Sequence, residues 1–150
     1  MRIGIAADHG GFSLKQDLLA RLERAGHEVV DFGAHRLEAA DDYPDFVIPL
    51  AQSVAAGDLE RGIAVCGSGV GVSIAANKIR GARAALVVDH FSARQGVADD
   101  HMNIFCLGGR VIGPDAAWDL VETFLAAEFS REERHLRRLG KVAQAESNHS

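Results

Sequence analysis

The chain has 150 residues, of which 47% are hydrophobic and 25% charged, with 16 glycines and 3 prolines. That balance belongs to one globular domain and excludes disordered, collagen-like and disulfide-scaffold chains. The net charge is −5, and residues 131–150 carry +2 against −7 for the rest, which excludes a nucleic-acid-binding stripe but leaves enough cationic groups to hold one or two phosphates.

No apolar stretch approaches a membrane span, and the N-terminal run meets Asp8 before it is long enough for a secretory signal, so no membrane partner and a cytoplasmic location are expected. The sequon Asn148-His149-Ser150 is then a chance match. Cys66 and Cys106 stand 40 residues apart, with neither C-x-x-C nor zinc-type Cys/His spacing, so no redox pair and no structural metal are expected.

In chain order, short apolar runs alternate with helix-period segments, the pattern of βα units around a parallel sheet. Strands are expected over 2–7, 27–32, 62–66, 83–88 and 103–107, each of a length suited to burial on both faces. The first helix is expected over 12–25, with Leu14, Leu18, Leu22 and Ala25 inward, Lys15, Asp17, Arg21 and Arg24 outward, and Gly26 as its cap. Further helices are expected over 44–56, 68–78, 92–99 and 114–129, the last beginning at a proline. A last helix over 131–145 sets Arg134 and Arg138 on one face and has few apolar residues to hold it to its own body, so residues 129–150 are expected to dock on a neighbouring subunit, with 146–150 frayed. No internal repeat or interdomain linker interrupts the single domain 1–150.

Ligands of open parallel sheets bind beyond the carboxyl ends of the strands. Four such ends carry polar residues or glycines: Asp8-His9-Gly10-Gly11, Cys66-Gly67-Ser68-Gly69-Val70-Gly71, Asp89-His90 and Gly108-Gly109-Arg110. In the second, three glycines let the backbone approach a ligand while the following helix aims unpaired N–H groups at the same place, so an anion is the expected guest: a phosphate, or the oxyanion formed when a carbon acid loses its proton. Cys66 is read as a base or nucleophile, since a helix N-terminus favours a thiolate, or as a small buried residue finishing its strand; Cys106 is read as core. Asp8-His9 is either a helix cap or an acceptor and donor for a ligand. Arg110, Arg134 and Arg138 are singly solvated charges and together a phosphate clamp.

Gly67-Ser68-Gly69-Val70-Gly71 resembles part of a dinucleotide fingerprint, with Asp89 22 residues past Gly67, but two features count against that reading: its third glycine would fall at Val72, and the loop follows the third strand instead of opening the first βαβ unit. Lys78 is no Walker lysine, since it sits at a helix end.

The segment Cys66-Gly67-Ser68-Gly69-Val70-Gly71-Val72-Ser73-Ile74-Ala75-Ala76-Asn77-Lys78, with Asp8-His9-Gly10-Gly11-Phe12, Lys15, Tyr43-Pro44, Gly109-Arg110-Val111-Ile112-Gly113, Arg134-His135 and Arg138, resembles the family of ribose-5-phosphate isomerase B and galactose-6-phosphate isomerase over nearly the whole chain. The resemblance implies a Rossmann-like α/β/α sandwich with a five-stranded parallel sheet and a C-terminal helical arm. It implies a homodimer or larger assembly, the last helix reaching toward the partner's active site, and an aldose–ketose isomerisation of a sugar phosphate through a cis-enediolate. No metal or organic cofactor is implied.

Carried over residue by residue, Cys66 matches the base that moves the proton between C1 and C2, and Ser68 the hydroxyl assisting at the substrate's oxygen. Gly67, Gly69, Val70 and Gly71 match the anion hole; Asp8 and Tyr43 bind sugar hydroxyls, with Asn103 in the same substrate-binding set; His9, Arg110, Arg134 and Arg138 hold the phosphate.

One segment departs from the pattern. Where the family commonly carries a His-Asn pair that opens the furanose ring, this chain has Asp99 and Asp100, with His101 two residues late, about 200° around a helix. Either Asp99 or His101 shuttles the proton on a pentose phosphate, or the substrate needs no ring opening, as with a four-carbon sugar 4-phosphate. A different class of function is a sugar-phosphate-binding module without catalysis, which would give Cys66 no task.

Overall fold

The structure is a computed structural model that describes residues 1–149. Its elements run β1 (Arg2–Ala7), α1 (Phe12–Arg24), β2 (Glu28–Asp31), α2 (Pro44–Ala55), β3 (Arg61–Cys66), α3 (Val70–Ala76), β4 (Ala84–Leu86), α4 (His90–Asp100), β5 (Ile104–Gly108), α5 (Pro114–Ala126) and α6 (Glu133–Ser147). The five strands pair in parallel in the order β2-β1-β3-β5-β4. From β1 the chain steps outward to β2 and then returns to the other side of β1 as β3, so the strand order reverses between β1 and β3, where an open α/β sheet forms its ligand crevice.

The alternation of strand side chains divides the interior into two layers. Ile3, Ile5, Ile63, Val65, Phe105 and Leu107 point to the face covered by α1, α4 and α5, while Ala6, Ala64, Cys66, Ile104 and Cys106 point to the face covered by α2 and α3. The resulting three-layer α/β/α sandwich is the fold expected of the sequence.

The differences from expectation are local and have identifiable causes. Helix α3 begins at Val70 and not Ser68, because Gly69 is its N-cap with φ of 87°, a conformation that side chains other than glycine's rarely adopt. Helix α4 starts two residues earlier than expected, since the Asp89 carboxylate accepts from Ser92 N–H at 2.7 Å and caps it. Helix α5 stops three residues early, where the Arg61 guanidinium takes the main-chain oxygens of Phe124 and Ala127. Strand β4, a sheet edge, is three residues long.

Two expectations are corrected. The C-terminal stretch is not frayed from Glu146: α6 continues to Ser147, and the Glu146 carboxylate accepts the Gly81 N–H at 3.2 and 3.3 Å; Ser150 lies outside the described residues. Lys15 does not face solvent. It is fully buried, its Nζ donating to both oxygens of Asp31 at 2.8 and 2.9 Å and to Ala34 O at 2.6 Å. The ammonium ties α1 to the end of β2 and to the loop that leads toward α2.

Removing one partner of such a pair leaves a buried charge without compensation. Lys15→Ala is therefore expected to lower the unfolding free energy by about 3 kcal/mol, measured by urea denaturation, with the loss centred on Asp31 and the 33–43 loop in hydrogen exchange.

Candidate active site

At the carboxyl edge of β1, β3 and β5 the three following loops pack main chain against main chain. A side chain at Gly109 would put its Cβ 2.6 Å from Gly10 O, and one at Gly10 would stand 2.8 Å from Gly67 N, separations that no Cβ tolerates. Gly109 N–H donates to Cys66 O at 2.8 Å and Arg110 N–H to Gly67 O at 3.0 Å, which fixes the third loop onto the second.

This edge forms an open pocket of about 420 Å³ lined by Asp8, Tyr43, Cys66, Gly67, Ser68, Gly71, Arg110 and Val111. Cys66 ends β3 with its side chain almost fully buried, and its Sγ accepts the Gly69 N–H at 3.1 Å. Ser68 Oγ accepts the Val70 N–H at 3.2 Å, so its own proton is free for a ligand. The buried Asp8 carboxylate accepts from Gly10 N–H at 2.9 Å and Gly11 N–H at 3.2 Å through Oδ1, and its Oδ2 takes no part in those bonds. The Tyr43 ring lies over Gly71, whose Cβ would come within 2.7 Å of it. The Arg110 guanidinium lies alongside Gly67.

His9 stands beside the pocket, its main-chain N–H and ring Nδ1 both bonded to Asp41 Oδ1 at 2.9 and 2.7 Å. Asp41 is the participant that the sequence reading missed. It precedes Tyr43 by two residues in an acidic pair, and nothing in spacing or pattern separates it from a solvated loop acid. The oxygens and nitrogen of Asp8, His9 and Asp41 lie within 4.8 Å of one another, the spacing of a cation site, but the bonds just described already occupy one oxygen of each acid and one ring nitrogen.

Five expected site residues lie elsewhere in this chain. Helix α4 is 11 residues long and begins at the carboxyl end of β4, so Asp99 stands about 13.5 Å down it, toward the amino edge of the sheet. There Asp99 accepts from Gln95 Nε2 at 2.9 Å and meets the buried His135 Nε2 at 3.3 Å, which also lies 3.8 Å from Glu132. Arg134 and Arg138, both exposed, extend from the same end of α6. His101 has left-handed φ at the end of α4 and stacks on Phe129 with ring centres 4.4 Å apart; burial, with Arg83, Arg131 and Arg61 nearby, holds its imidazole below the ordinary histidine pKa. Asn103 is spent on structure, its amide oxygen accepting Arg83 N–H at 2.7 Å and its nitrogen donating to Gly81 O at 3.0 Å.

Residues 3–142 match the Ribose/Galactose Isomerase family. The chain belongs to that family. Among relatives, ribose-5-phosphate isomerase B of Mycobacterium tuberculosis is 38% identical over 149 residues, covering 99% of this chain and 92% of that one. The solved Clostridium thermocellum ribose-5-phosphate isomerase B superposes with a TM-score of 0.96 at 46% identity, with both chains covered in full. The Mycoplasma genitalium ribose-5-phosphate isomerase B, solved with bound ribulose-5-phosphate, gives 0.91 at 39% identity over 97% of this chain and 96% of that one.

The two thiols are distinguished by their surroundings. Cys106 is sealed in the core, where burial, with Cys66 nearby, pushes its thiol far above the ordinary range, whereas Cys66 opens on the pocket. Iodoacetamide on the native protein is expected to alkylate Cys66 and leave Cys106 unmodified until denaturant is added, read by peptide mass spectrometry.

Proposed function

We propose that the protein is an aldose–ketose isomerase of phosphorylated sugars, with ribose 5-phosphate and ribulose 5-phosphate as its substrate pair. The observation that carries this reading is Cys66, whose sulfur accepts the Gly69 N–H in a pocket shared with Asp8, Ser68 and Arg110. A base, a hydroxyl and a cation converge there. The relatives named above are ribose-5-phosphate isomerases B, one of them holding ribulose-5-phosphate.

In this reading the open-chain sugar lies with C1 and C2 beside Sγ. The Cys66 thiolate removes the C2 proton, the electron pair becomes the C1–C2 double bond of a cis-enediolate, and the thiol returns the proton to C1 as the carbonyl forms at C2. The Ser68 hydroxyl relays the proton between O1 and O2, and main-chain N–H groups of the 67–71 loop stabilise the enediolate oxygen. Asp8 and Tyr43 orient sugar hydroxyls. His9 and Arg110 hold the phosphate, remote from the reacting carbons, so that its binding energy supplies orientation.

Asp99, Arg134 and Arg138 enter the site from a second copy of the chain, making the protein a homodimer or a larger even assembly. Supporting this, Val70 and Ile74 on α3, Leu86 and Val88 at the end of β4, Phe91 on α4 and Val111 beside the pocket are large apolar side chains left exposed, a pattern that marks a covered surface. No helix among the described residues is long and apolar enough to cross a membrane, and two free thiols suit the reducing cytoplasm, where we place the protein.

A second substrate reading, a four-carbon sugar 4-phosphate, is favoured by the engagement of Asp99 with Gln95 and His135. A pentose 5-phosphate closes a furanose ring through its C4 hydroxyl, but in the four-carbon ester that hydroxyl is blocked, and no ring-opening group is required.

Solvent-deuterium incorporation and product formation by NMR, with ribose 5-phosphate and a tetrose 4-phosphate side by side, test both readings. We expect turnover that falls by at least about a thousandfold in Cys66→Ala; turnover of the tetrose ester alone assigns the four-carbon reading, and exchange with neither leaves binding without catalysis or an isomerase of another sugar phosphate, such as an aldose 6-phosphate. Mixing inactive Cys66→Ala with inactive Arg134→Ala/Arg138→Ala is expected to restore about a quarter of wild-type activity if each site draws on two copies. No restoration assigns both groups to a single copy.

A further inference from the structure

The proposed function gives His9 a phosphate to hold, and leaves open what holds His9. Its side chain is 31% exposed, so burial alone does not fix it. The constraint comes from Asp41, 32 residues away, whose single oxygen Oδ1 takes both the main-chain N–H of His9 and its ring Nδ1. The Asp41 side chain is only 10% exposed, and its other oxygen is buried with no hydrogen-bond partner. All of the directional bonding of this buried carboxylate therefore goes to one residue.

We infer that Asp41 is a positioning residue for His9: it holds the ring with Nδ1 as the donor toward Asp41 and so offers Nε2 to the phosphate. An ionised carboxylate only accepts hydrogen bonds, so Nδ1 must carry the proton. The opposite nitrogen is then the atom left for a ligand, and the doubly protonated ring donates from it to a phosphate oxygen. Because Asp41 stands two residues before Tyr43, the same bond ties the residue that holds the phosphate to the loop that delivers the residue binding sugar hydroxyls. A carboxylate orienting a histidine that touches the ligand is the arrangement by which outer groups fix tautomer and ring plane at metal sites, here applied to an anion.

This inference rests on the isomerase reading only for the identity of the anion, so the test has one arm that needs no turnover. With 15N-histidine labelling, the His9 ring in the wild type is expected to show a protonated Nδ1, and inorganic phosphate is expected to shift its Nε2 resonance. In Asp41→Ala the neutral ring is expected to revert to the Nε2–H tautomer, while Asp41→Asn, which keeps an acceptor oxygen, retains the Nδ1–H form. An Nδ1 signal unchanged in Asp41→Ala overturns the inference, whether or not the protein turns over a sugar phosphate.

The kinetic arm uses ribose 5-phosphate or whichever ester the wild type accepts. Asp41→Ala is expected to raise KM about tenfold with kcat little changed, Asp41→Asn to recover most of that loss, and Asp41→Ala to add nothing in a His9→Ala background. Equal effects of Asp41→Ala with and without His9 would show a general loss of loop structure and overturn the assignment. Absence of turnover in the wild type sinks the isomerase reading alone, and the NMR arm then decides the role of Asp41.

Discussion

The site depends on how closely three loops approach one another at the carboxyl edge of β1, β3 and β5. Gly109 lies against Gly10 O, Gly10 against Gly67 N, and Gly108 against Ser68 O, with a Cβ at any of the three falling 2.6 to 2.8 Å from main-chain atoms. Side chains at these positions would push the loops apart. The contact brings Asp8 from one strand end, Cys66 and Ser68 from a second and Arg110 from a third into one pocket. Asp8 and the Cys66 sulfur are fixed further by main-chain N–H groups of the same loops. Even the donor to the Cys66 sulfur belongs to this constraint, since Gly69 with its left-handed φ turns its N–H back toward Sγ.

The fourth contribution to the pocket, from the loop between β2 and α2, is held differently. That loop is a long one, and it approaches the site through polar bonds that reach into the body: the buried Lys15 ammonium on Asp31 and Ala34 O at its start, and Asp41 on His9 near its end. Between these two fixed points the chain delivers Tyr43 against Gly71. A buried ion pair is a poor source of stability compared with apolar packing, but it specifies a single placement of the segment that follows it. Lys15 therefore has a positional consequence at a pocket it does not line.

These two kinds of constraint explain what could be read from the sequence. The five strands, the parallel sheet and the ligand edge follow from period and length, and the glycine loop with Cys66 follows from residue type at a strand end. The partners that act through a single tertiary hydrogen bond leave no such trace. Lys15 falls on the polar face of α1 by helical period, yet α1 packs against the end of β2 where Asp31 waits. Asp41 is one acid of a pair and becomes distinct only when β1 and the β2–α2 loop are brought together. Asn103 carries an amide of the kind that binds sugars, and its place before β5 puts it at the opposite edge, where it joins Arg83 to Gly81. The continuation of α6 past residue 145 depends on Gly81 N–H, a group supplied by a turn 65 residues earlier.

Helix α6 is held to the body in yet another way. Apart from His135 it buries no side chain fully; Leu139 and Val142 border a groove with Gly81 and Arg83, and polar contacts pin the helix near its ends: Asp99 on His135 at the start, Gly81 on Glu146 at the finish. Arg134 pairs with Glu132, its Nε 3.0 Å from the carboxylate, and Arg138 one turn on is exposed. Asp99, shared between Gln95 and the buried His135 imidazole, is thus one of the groups that place this helix, and a carboxylate so engaged has less freedom to carry protons for a substrate. In the proposed reading, where Arg134 and Arg138 hold the phosphate of a neighbouring copy's substrate, substrate choice and arm geometry are linked through this one side chain. A substitution at Asp99 would also remove one of the two acids beside His135, the other being Glu132 at 3.8 Å, so proton shuttling and helix placement are coupled at that position.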